Sequence, residues 1–163
     1  MADFTHLDDK GRVRMVDVTE KGYTDRTALA RGLVKMKQET FKKIQDHKVK
    51  KGNVLETARI SGIMAVKKTS ELIPMCHPLY VTHISIDFFL NESSNSITIE
   101  SSVRTIGPTG VEMEALTAVA VSALTIYDMC KSYDKEIKIT DILLLEKSGG
   151  KSGHYKKAEN SDE

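Results

Sequence analysis

The chain has little net charge and few cysteines. The first argues against a protein that binds nucleic acid or membrane through its overall charge, and the second argues against a disulfide-rich secreted protein. Its 163 residues carry 24 Lys and Arg against 23 Asp and Glu, a formal net charge of +1. No overall field therefore draws it to nucleic acid or to an anionic membrane, and affinity for a polyanion must come from local clusters of cations. The two cysteines, Cys76 and Cys130, predict reduced thiols in a cytoplasmic protein.

Long apolar segments are lacking as well. Residues 1–12, MADFTHLDDKGR, have none of the apolar run of a signal peptide. The most apolar segment, residues 111–130, contains Glu112, Glu114 and Asp128, which argues against a membrane span. We expect a cytoplasmic protein that binds neither membrane nor nucleic acid. Residues 1–12 are predicted to be a flexible arm, 13–147 a single domain and 148–163 a flexible Gly/Lys/Ser-rich tail.

The order of apolar patterns predicts the fold. Alternating runs favour strands, and amphipathic runs favour helices. The row of small or apolar residues at every second position of 27–36 favours a strand there, although a helix stays open. The predicted elements are strands at 13–18 and 27–36, a short helix at 38–48, a helix at 53–74 capped by Asn53, strands at 79–90 and 96–104, a helix at 111–133 and a strand at 137–145.

Without the first strand and the short helix, the order is strand, helix, strand, strand, helix, strand. This is the order of a ferredoxin-like split βαβ sheet. The sequence therefore predicts an α+β fold, with helices packed on one face of the sheet.

The helix at 111–133 holds the first candidate site. Its centre, 115–126, has no charged residue, so we expect the helix to be buried on most of its circumference. Asp128 and Lys131 lie three positions apart near its C-terminal end, where an anion is disfavoured. We expect at least one of them to be partly desolvated, which suits acid–base chemistry. A surface ion pair of little energetic weight has the same spacing.

The other end of this helix carries Glu112 and Glu114. Acidic residues are common in a first helical turn, where the helix dipole favours them. Asp128 lies sixteen positions after Glu112, or ~24 Å along a helix. One small ligand cannot contact both ends within one chain. Either another subunit completes the site or the segment around Glu112 is not helical.

The segment SELIPMCHPL, residues 70–79, holds the second candidate site. Two prolines bracket Met75, Cys76 and His77 in a stiff turn. His77 suits a general acid or base, a phosphate ligand or a solvated loop histidine. A zinc ion needs three or four ligands at recognisable spacings, and no second Cys/His pair is present. We expect no metal site, and we expect Cys130 to lie in the core.

Cationic side chains at the ends of elements form a third group. They could converge on phosphate groups, although most lysines on a protein surface are simply solvated. The tail sequence GGKSG is not a P-loop, because Leu145 stands where the first glycine belongs and no helix is predicted after it. The cations are Lys50, Lys51, Lys67, Lys68, Lys131, Lys147, Lys151, Arg26 and Arg59.

Four blocks of the sequence resemble the signature blocks of one family, and they span nearly the whole chain. The blocks are MVDV (15–18), KGNVLETARISGIMAVKKTSELIPMCHPL (51–79), TGVEMEALTAVAVSALTIYDMCK (109–131) and EKSGGKSG (146–153). Their order and spacing resemble those of the cyclic pyranopterin monophosphate synthases, the second enzymes of molybdenum-cofactor biosynthesis.

The resemblance implies an enzyme, a phosphorus–oxygen lyase whose catalytic domain is 13–147. It implies that a cyclised dihydroguanosine triphosphate is converted to cyclic pyranopterin monophosphate with release of pyrophosphate. It implies catalytic roles for Asp128, Lys131 and Lys51. The substrate contacts that it implies are Met75, Cys76, His77, Glu112, Met113, Glu114 and Lys147.

The resemblance also implies a homohexamer, a trimer of dimers with pockets at subunit interfaces. It implies no required cofactor, and Mg²⁺ accompanying the triphosphate stays open. Two positions depart from the family pattern: Pro108 stands where many relatives have Lys, and Ser61 replaces a more usual Ala.

Two functions other than this synthase stay open as alternatives. They are a non-catalytic ligand-binding module and a thiol hydrolase using Cys76 and His77.

Overall fold

The computed structural model describes residues 10–158. Most of the predicted arm, and the last five residues of the predicted tail, lie outside the described residues. All elements predicted after residue 18 are present, although their ends are shifted and the helix predicted at 53–74 is divided into two. The elements are β1 (Thr24–Lys35), α1 (Gln38–Gln45), α2 (Val54–Lys67), α3 (Thr69–Leu72), β2 (Val81–Asn91), β3 (Ser96–Gly107), α4 (Glu112–Cys130), β4 (Lys138–Ser148) and β5 (Tyr155–Lys156).

The five strands form one sheet in the order β2-β3-β1-β4-β5, and each neighbouring pair is antiparallel. The four main strands thus have the ferredoxin-like order, which confirms the predicted fold class. In β1 the alternate residues Ala28, Ala30 and Val34 are buried, because they face the layer formed by α2 and α4. This period of two also confirms a strand rather than a helix at 27–36.

Two glycines bring α4 close to its neighbours. A Cβ at Gly32 in β1 would lie 2.5 Å from Val119 Cγ1, and a Cβ at Gly62 in α2 would lie 2.5 Å from Ile86 Cδ1 and would collide with Ser122 Oγ. Ser122 Oγ instead donates to the Ala58 carbonyl at 3.0 Å. A larger residue at either glycine would separate the layers and open the core.

The strand predicted at 13–18 is wrong. Val13 forms only an isolated bridge, and residues 14–18 pair with no strand of the described chain. Val13 is 70% exposed and Met15 47% exposed, so the alternating pattern has no core to face. The segment instead turns its half-buried residues, Val16 and Val18, toward the mouth of a cavity.

The helix predicted at 53–74 is two helices. Asn53 caps α2 as expected, since its side chain accepts a hydrogen bond from the Glu56 amide at 3.2 Å. The break comes at Lys68, because the Ala65 carbonyl accepts from both the Lys68 amide and Thr69 Oγ1. A side chain that competes for a backbone carbonyl disturbs a helix in this way.

α4 is less buried than its sequence predicts. Nine of its 19 residues are buried, and Leu124 at its middle is 58% exposed. It has the length and apolar composition of a membrane span, but about half of it is buried within the protein, as in the core helix of a soluble domain. β4 runs to Ser148, and Tyr155–Lys156 adds a short strand beside it. The domain boundaries themselves stay predictions.

Candidate active site

The N-terminal end of α4 meets the end of β4 in a fixed ion pair. Lys147 Nζ lies 2.8 Å from Glu112 Oε1, and the side chains are 29% and 27% exposed. Lys147 is held by the sheet, where it pairs with Ala28 of β1. Glu112 is held by the first turn of α4. Two rigid elements therefore set this cation and this carboxylate, which the sequence places 35 residues apart.

Two adjoining cavities open at this end of α4, with volumes of about 690 and 320 Å³. Lys21, Thr109, Gly110 and Glu112 line both. The larger one is cationic, and its wall includes Arg26, Lys147 and Lys151. The smaller one holds five residues that the sequence singled out: Met75, Cys76, His77, Met113 and Glu114.

His77 is oriented by the irregular segment before β1. Its Nε2 lies 2.8 Å from the Val16 carbonyl oxygen. Because a carbonyl only accepts, Nε2 must carry a proton, which leaves Nδ1 as the acceptor in a neutral ring. His77 is thus a positioned side chain in the cavity wall rather than a freely solvated loop histidine.

Glu114 is a buried carboxyl in this wall, only 4% exposed. Burial raises the pKa of Glu114 to about 7, and the nearby charge of Glu112 acts in the same direction. Near neutral pH, Glu114 is therefore divided between its neutral and charged forms. Burial also raises the pKa of the Cys76 thiol, and so does the Glu114 charge. A protonated thiol is a weak nucleophile, which argues against the thiol hydrolase.

A second cluster lies at the other end of α4. Lys131 Nζ is 2.6 Å from Asp128 Oδ1. Lys51 Nζ donates to the Asp128 backbone carbonyl at 2.7 Å and lies 3.5 Å from Asp128 Oδ2. The hydrogen bond from Lys131, followed by the charges of Lys131 and Lys51, lowers the pKa of Asp128. The same hydrogen bond raises the pKa of Lys131.

The expectation that Asp128 or Lys131 is partly desolvated is wrong for a single chain. Their side chains are 60% and 51% exposed. α4 ends at Cys130, one residue before Lys131, so the cluster lies where the helix leaves the core. The unfavourable interaction of the Asp128 carboxylate with the C-terminal end of the helix dipole is offset by the two lysines rather than by burial.

The two clusters are not brought together within one chain. α4 is helical from Glu112 onward, so the alternative of a non-helical start is wrong. The ~24 Å of helix between Glu112 and Asp128 therefore stands. The predicted site residues form two groups: the catalytic set at the C-terminal end of α4 and the substrate-contact set at its N-terminal end.

The other predicted cations divide between the cavity and the rest of the surface. Arg26 and Lys151 reach the larger cavity, whereas Arg59 is engaged by the Ile86 carbonyl and lies near Asp87. Lys21, which lines both cavities, was missed, because a lone lysine in a loop carries no sequence signal. Within residues 10–158, no group of three His, Cys, Asp or Glu side chains could hold a metal ion.

In a comparison with known proteins, residues 15–150 of this chain match the model of the MoaC family. A cyclic pyranopterin monophosphate synthase of Desulfatibacillum aliphaticivorans is 63% identical over 155 residues, covering 95% of this chain and 98% of the relative. The enzyme of the same name in Desulforapulum autotrophicum is 61% identical, covering 95% of both chains. That of Heliobacterium modesticaldum is 57% identical, covering 95% of this chain and 98% of the relative.

Proposed function

We propose that this chain, which belongs to the MoaC family, is a cyclic pyranopterin monophosphate synthase of molybdenum-cofactor biosynthesis. Its substrate is the cyclised dihydroguanosine triphosphate, and its products are cyclic pyranopterin monophosphate and pyrophosphate. The observation that carries the proposal is the near full-length similarity to relatives of that name. The two polar clusters at the ends of α4 supply chemistry that this reaction needs.

Proton transfer falls to the cluster around Asp128. Opening and closing rings requires protons to move on and off nitrogen and oxygen atoms. Lys131 holds a proton 2.6 Å from an ionised carboxylate, so the pair presents a donor and an acceptor side by side. Lys51 adds a second ammonium against the same residue. We assign the acid to Lys131 or Lys51, because the two lysines keep Asp128 ionised and hence weakly basic.

Substrate binding falls to the two cavities. The larger cavity, with Lys21, Lys147 and Lys151 in its wall, suits a triphosphate, whose charge grows on the leaving oxygens as the cyclic phosphate forms. The smaller cavity joins it, and its wall adds His77 and Glu114 to the polar residues that the two cavities share, beside apolar residues such as Met75. A purine-derived ring with exocyclic nitrogen groups would find both a donor and an acceptor there.

Both clusters serve one site only if a second chain brings them together. A two-fold dimer places the same surfaces of two chains against each other. If the C-terminal end of one α4 lies beside the N-terminal end of the other, each dimer has two complete sites. Ile60, Met64 and Leu124 on the helix layer are 46–62% exposed and offer apolar area for such contacts. We propose a hexamer built from such dimers, acting in the cytoplasm, where the free thiols of Cys76 and Cys130 stay reduced.

The proposal is tested by incubating the purified protein with the cyclised triphosphate and measuring pyranopterin and pyrophosphate together. We expect both products in equal amounts. Absence of both would sink the assignment. A non-catalytic module would bind the triphosphate and release neither product. A Lys131→Ala variant that folds, binds the triphosphate and makes no product would locate the chemistry at the Asp128 cluster.

A further inference from the structure

Arg26 lies on the central strand close to the ends of both flanking strands. It pairs with Thr105 of β3 on one side, and its neighbour Thr27 pairs with Ser148, the last residue of β4, on the other. The even-numbered residues of β1, such as Ala28 and Ala30, face the helices. The Arg26 side chain therefore leaves the sheet on the helix-bearing face, where it lines the same cavity as Glu112.

The guanidinium of Arg26 contacts the first residue beyond each flanking strand. Its Nη1 donates to the Gly149 carbonyl at 3.3 Å, immediately after β4. Its Nη2 donates to the Pro108 carbonyl at 3.2 Å, immediately after β3. We call Pro108 and Gly149, where the chain leaves β3 and β4, the two strand exits. They lie 41 residues apart in sequence, and the Arg26 side chain connects them. A planar fork of donors suits two divergent acceptors, whereas an ammonium is a compact point charge on a flexible stem.

The backbone beside Arg26 is shaped to admit this fork. Gly149 has a φ of +99° and Gly150 a φ of +73°, conformations that favour glycine. A Cβ at Gly150 would collide with the guanidinium itself, and a Cβ at Gly149 would collide with the Asp25 carbonyl. The pair of glycines therefore turns the chain closely across Arg26 without the strain or the obstruction that a Cβ would bring at these positions.

The two exits carry the charged pair of the cavity. Lys147 lies two residues before Gly149, and Glu112 lies four residues after Pro108. The sheet fixes Lys147 and the first turn of α4 fixes Glu112, and their 2.8 Å contact joins the two chain segments that the Arg26 side chain connects. We propose that Arg26 is a positioning residue, which ties the two strand exits together and thereby sets the Lys147–Glu112 geometry for substrate binding. The link to substrate rests on the proposed function, but the tie between the exits does not.

The first test measures the tie without any assay of activity. Hydrogen–deuterium exchange is followed in the full-length protein for peptides covering 108–113 and 149–157, with β1 and β3 as internal reference for folding. The variants are Arg26→Lys, which keeps the charge, and Gly150→Ala, which keeps the arginine but obstructs its fork. Arg31→Lys is the matched control, because Arg31 is exposed on the opposite face of the same strand.

We expect Arg26→Lys and Gly150→Ala each to speed exchange in both segments by about tenfold or more, since hydrogen bonds to charged groups are lost. The Gly153 amide, which donates to the Gly150 carbonyl, should report this directly. Arg31→Lys should leave both segments unchanged. Unchanged exchange in either exit segment of Arg26→Lys overturns the proposal. If this variant shows unchanged exchange but binds pyrophosphate more weakly, Arg26 contacts phosphate directly and does not connect the exits, and the proposal is likewise overturned.

The second test asks whether Arg26 acts through Lys147. Arg26→Lys should lower kcat/KM by about tenfold, and the Arg26→Lys, Lys147→Ala double variant should be no worse than Lys147→Ala alone. Losses that multiply in the double variant would overturn the positioning role. If the wild-type protein forms no product, the proposed function fails, yet the exchange measurements still decide whether Arg26 ties the exits.

Discussion

The buried carboxyl of Glu114 should make the protein less stable as the pH rises. Burial raises its pKa from 4.5 to about 7 in the folded chain, whereas an unfolded chain exposes the group to water. The folded state therefore binds more protons than the unfolded state between these values. The part of the free energy of unfolding that depends on Glu114 is fully present below about pH 4.5 and is lost as the pH rises through about 7.

The size of this effect follows from the same two values. A difference of about 2.5 pH units, at about 1.36 kcal/mol per unit, gives roughly 3 kcal/mol of lost stability above pH 7. Glu114→Gln keeps the shape of the side chain but cannot ionise. The variant should match the wild type at pH 4.5 and should be more stable by up to about 3 kcal/mol at pH 8.5. For a chain of this length, that corresponds to roughly 6–12 °C in melting temperature.

The assay is urea unfolding of both proteins at pH 4.5, 6, 7 and 8.5, at one fixed protein concentration because subunit association adds to stability. The difference between the two curves reports on Glu114, because its carboxyl is the ionisable group that the substitution removes. Glu112→Gln is the control, because it also removes a carboxylate from the cavity wall, but one that is paired with Lys147, so this variant should not be more stable than the wild type. Parallel curves for the wild type and Glu114→Gln, at all four pH values, would refute the reasoning.

Three further predictions concern packing, catalysis and thiol reactivity. Gly62→Ala should destabilise the protein by about 1–3 kcal/mol in chemical denaturation, because the new methyl group collides with α4; an unchanged midpoint would contradict the close packing of α2 and α4. Lys131→Ala should lower kcat by about 10²–10⁴-fold while its circular dichroism stays that of the wild type, and near-normal turnover would exclude Lys131 as a proton donor. Burial raises the pKa of Cys130 from 9.0 to about 11, so iodoacetamide should modify Cys130 about a hundredfold more slowly in the folded than in the unfolded protein, and equal rates would show that the thiol is accessible.

The sequence predicts most of the fold because its patterns are repeated by the core. The alternation in β1 survives because Ala28, Ala30 and Val34 meet α4. The cap at Asn53 works locally and needs no tertiary context. The same alternation at 13–18 fails, because a period of two specifies a strand only where a neighbouring strand and a core are present. The break at Lys68 depends on the rotamer of the Thr69 side chain, which no sequence pattern records.

The candidate site is predictable residue by residue but not as an assembly. Spacing along α4 correctly separates Glu112 from Asp128, since a helix converts sequence distance directly into length. Exposure of Asp128 was not predictable, because it depends on where α4 leaves the core. The contact between Lys147 and Glu112 was also hidden, since it joins a strand end to a helix start 35 residues away. Lys21 was missed for a similar reason, as only the tertiary structure brings its loop to the cavities.

The central claim is that the two ends of α4 serve one active site built from two chains. Lys131→Ala and Lys147→Ala subunits, each of low activity alone, are mixed in equal amounts, unfolded together and refolded, and the mixed oligomers are purified by two different tags. When the two variants pair at random, about half of the pairs are mixed and one of the two sites in each mixed pair is intact, so about a quarter of all sites are intact. We therefore predict that the refolded mixture recovers about a quarter of wild-type activity. Mixed oligomers no more active than their parents would contradict the claim.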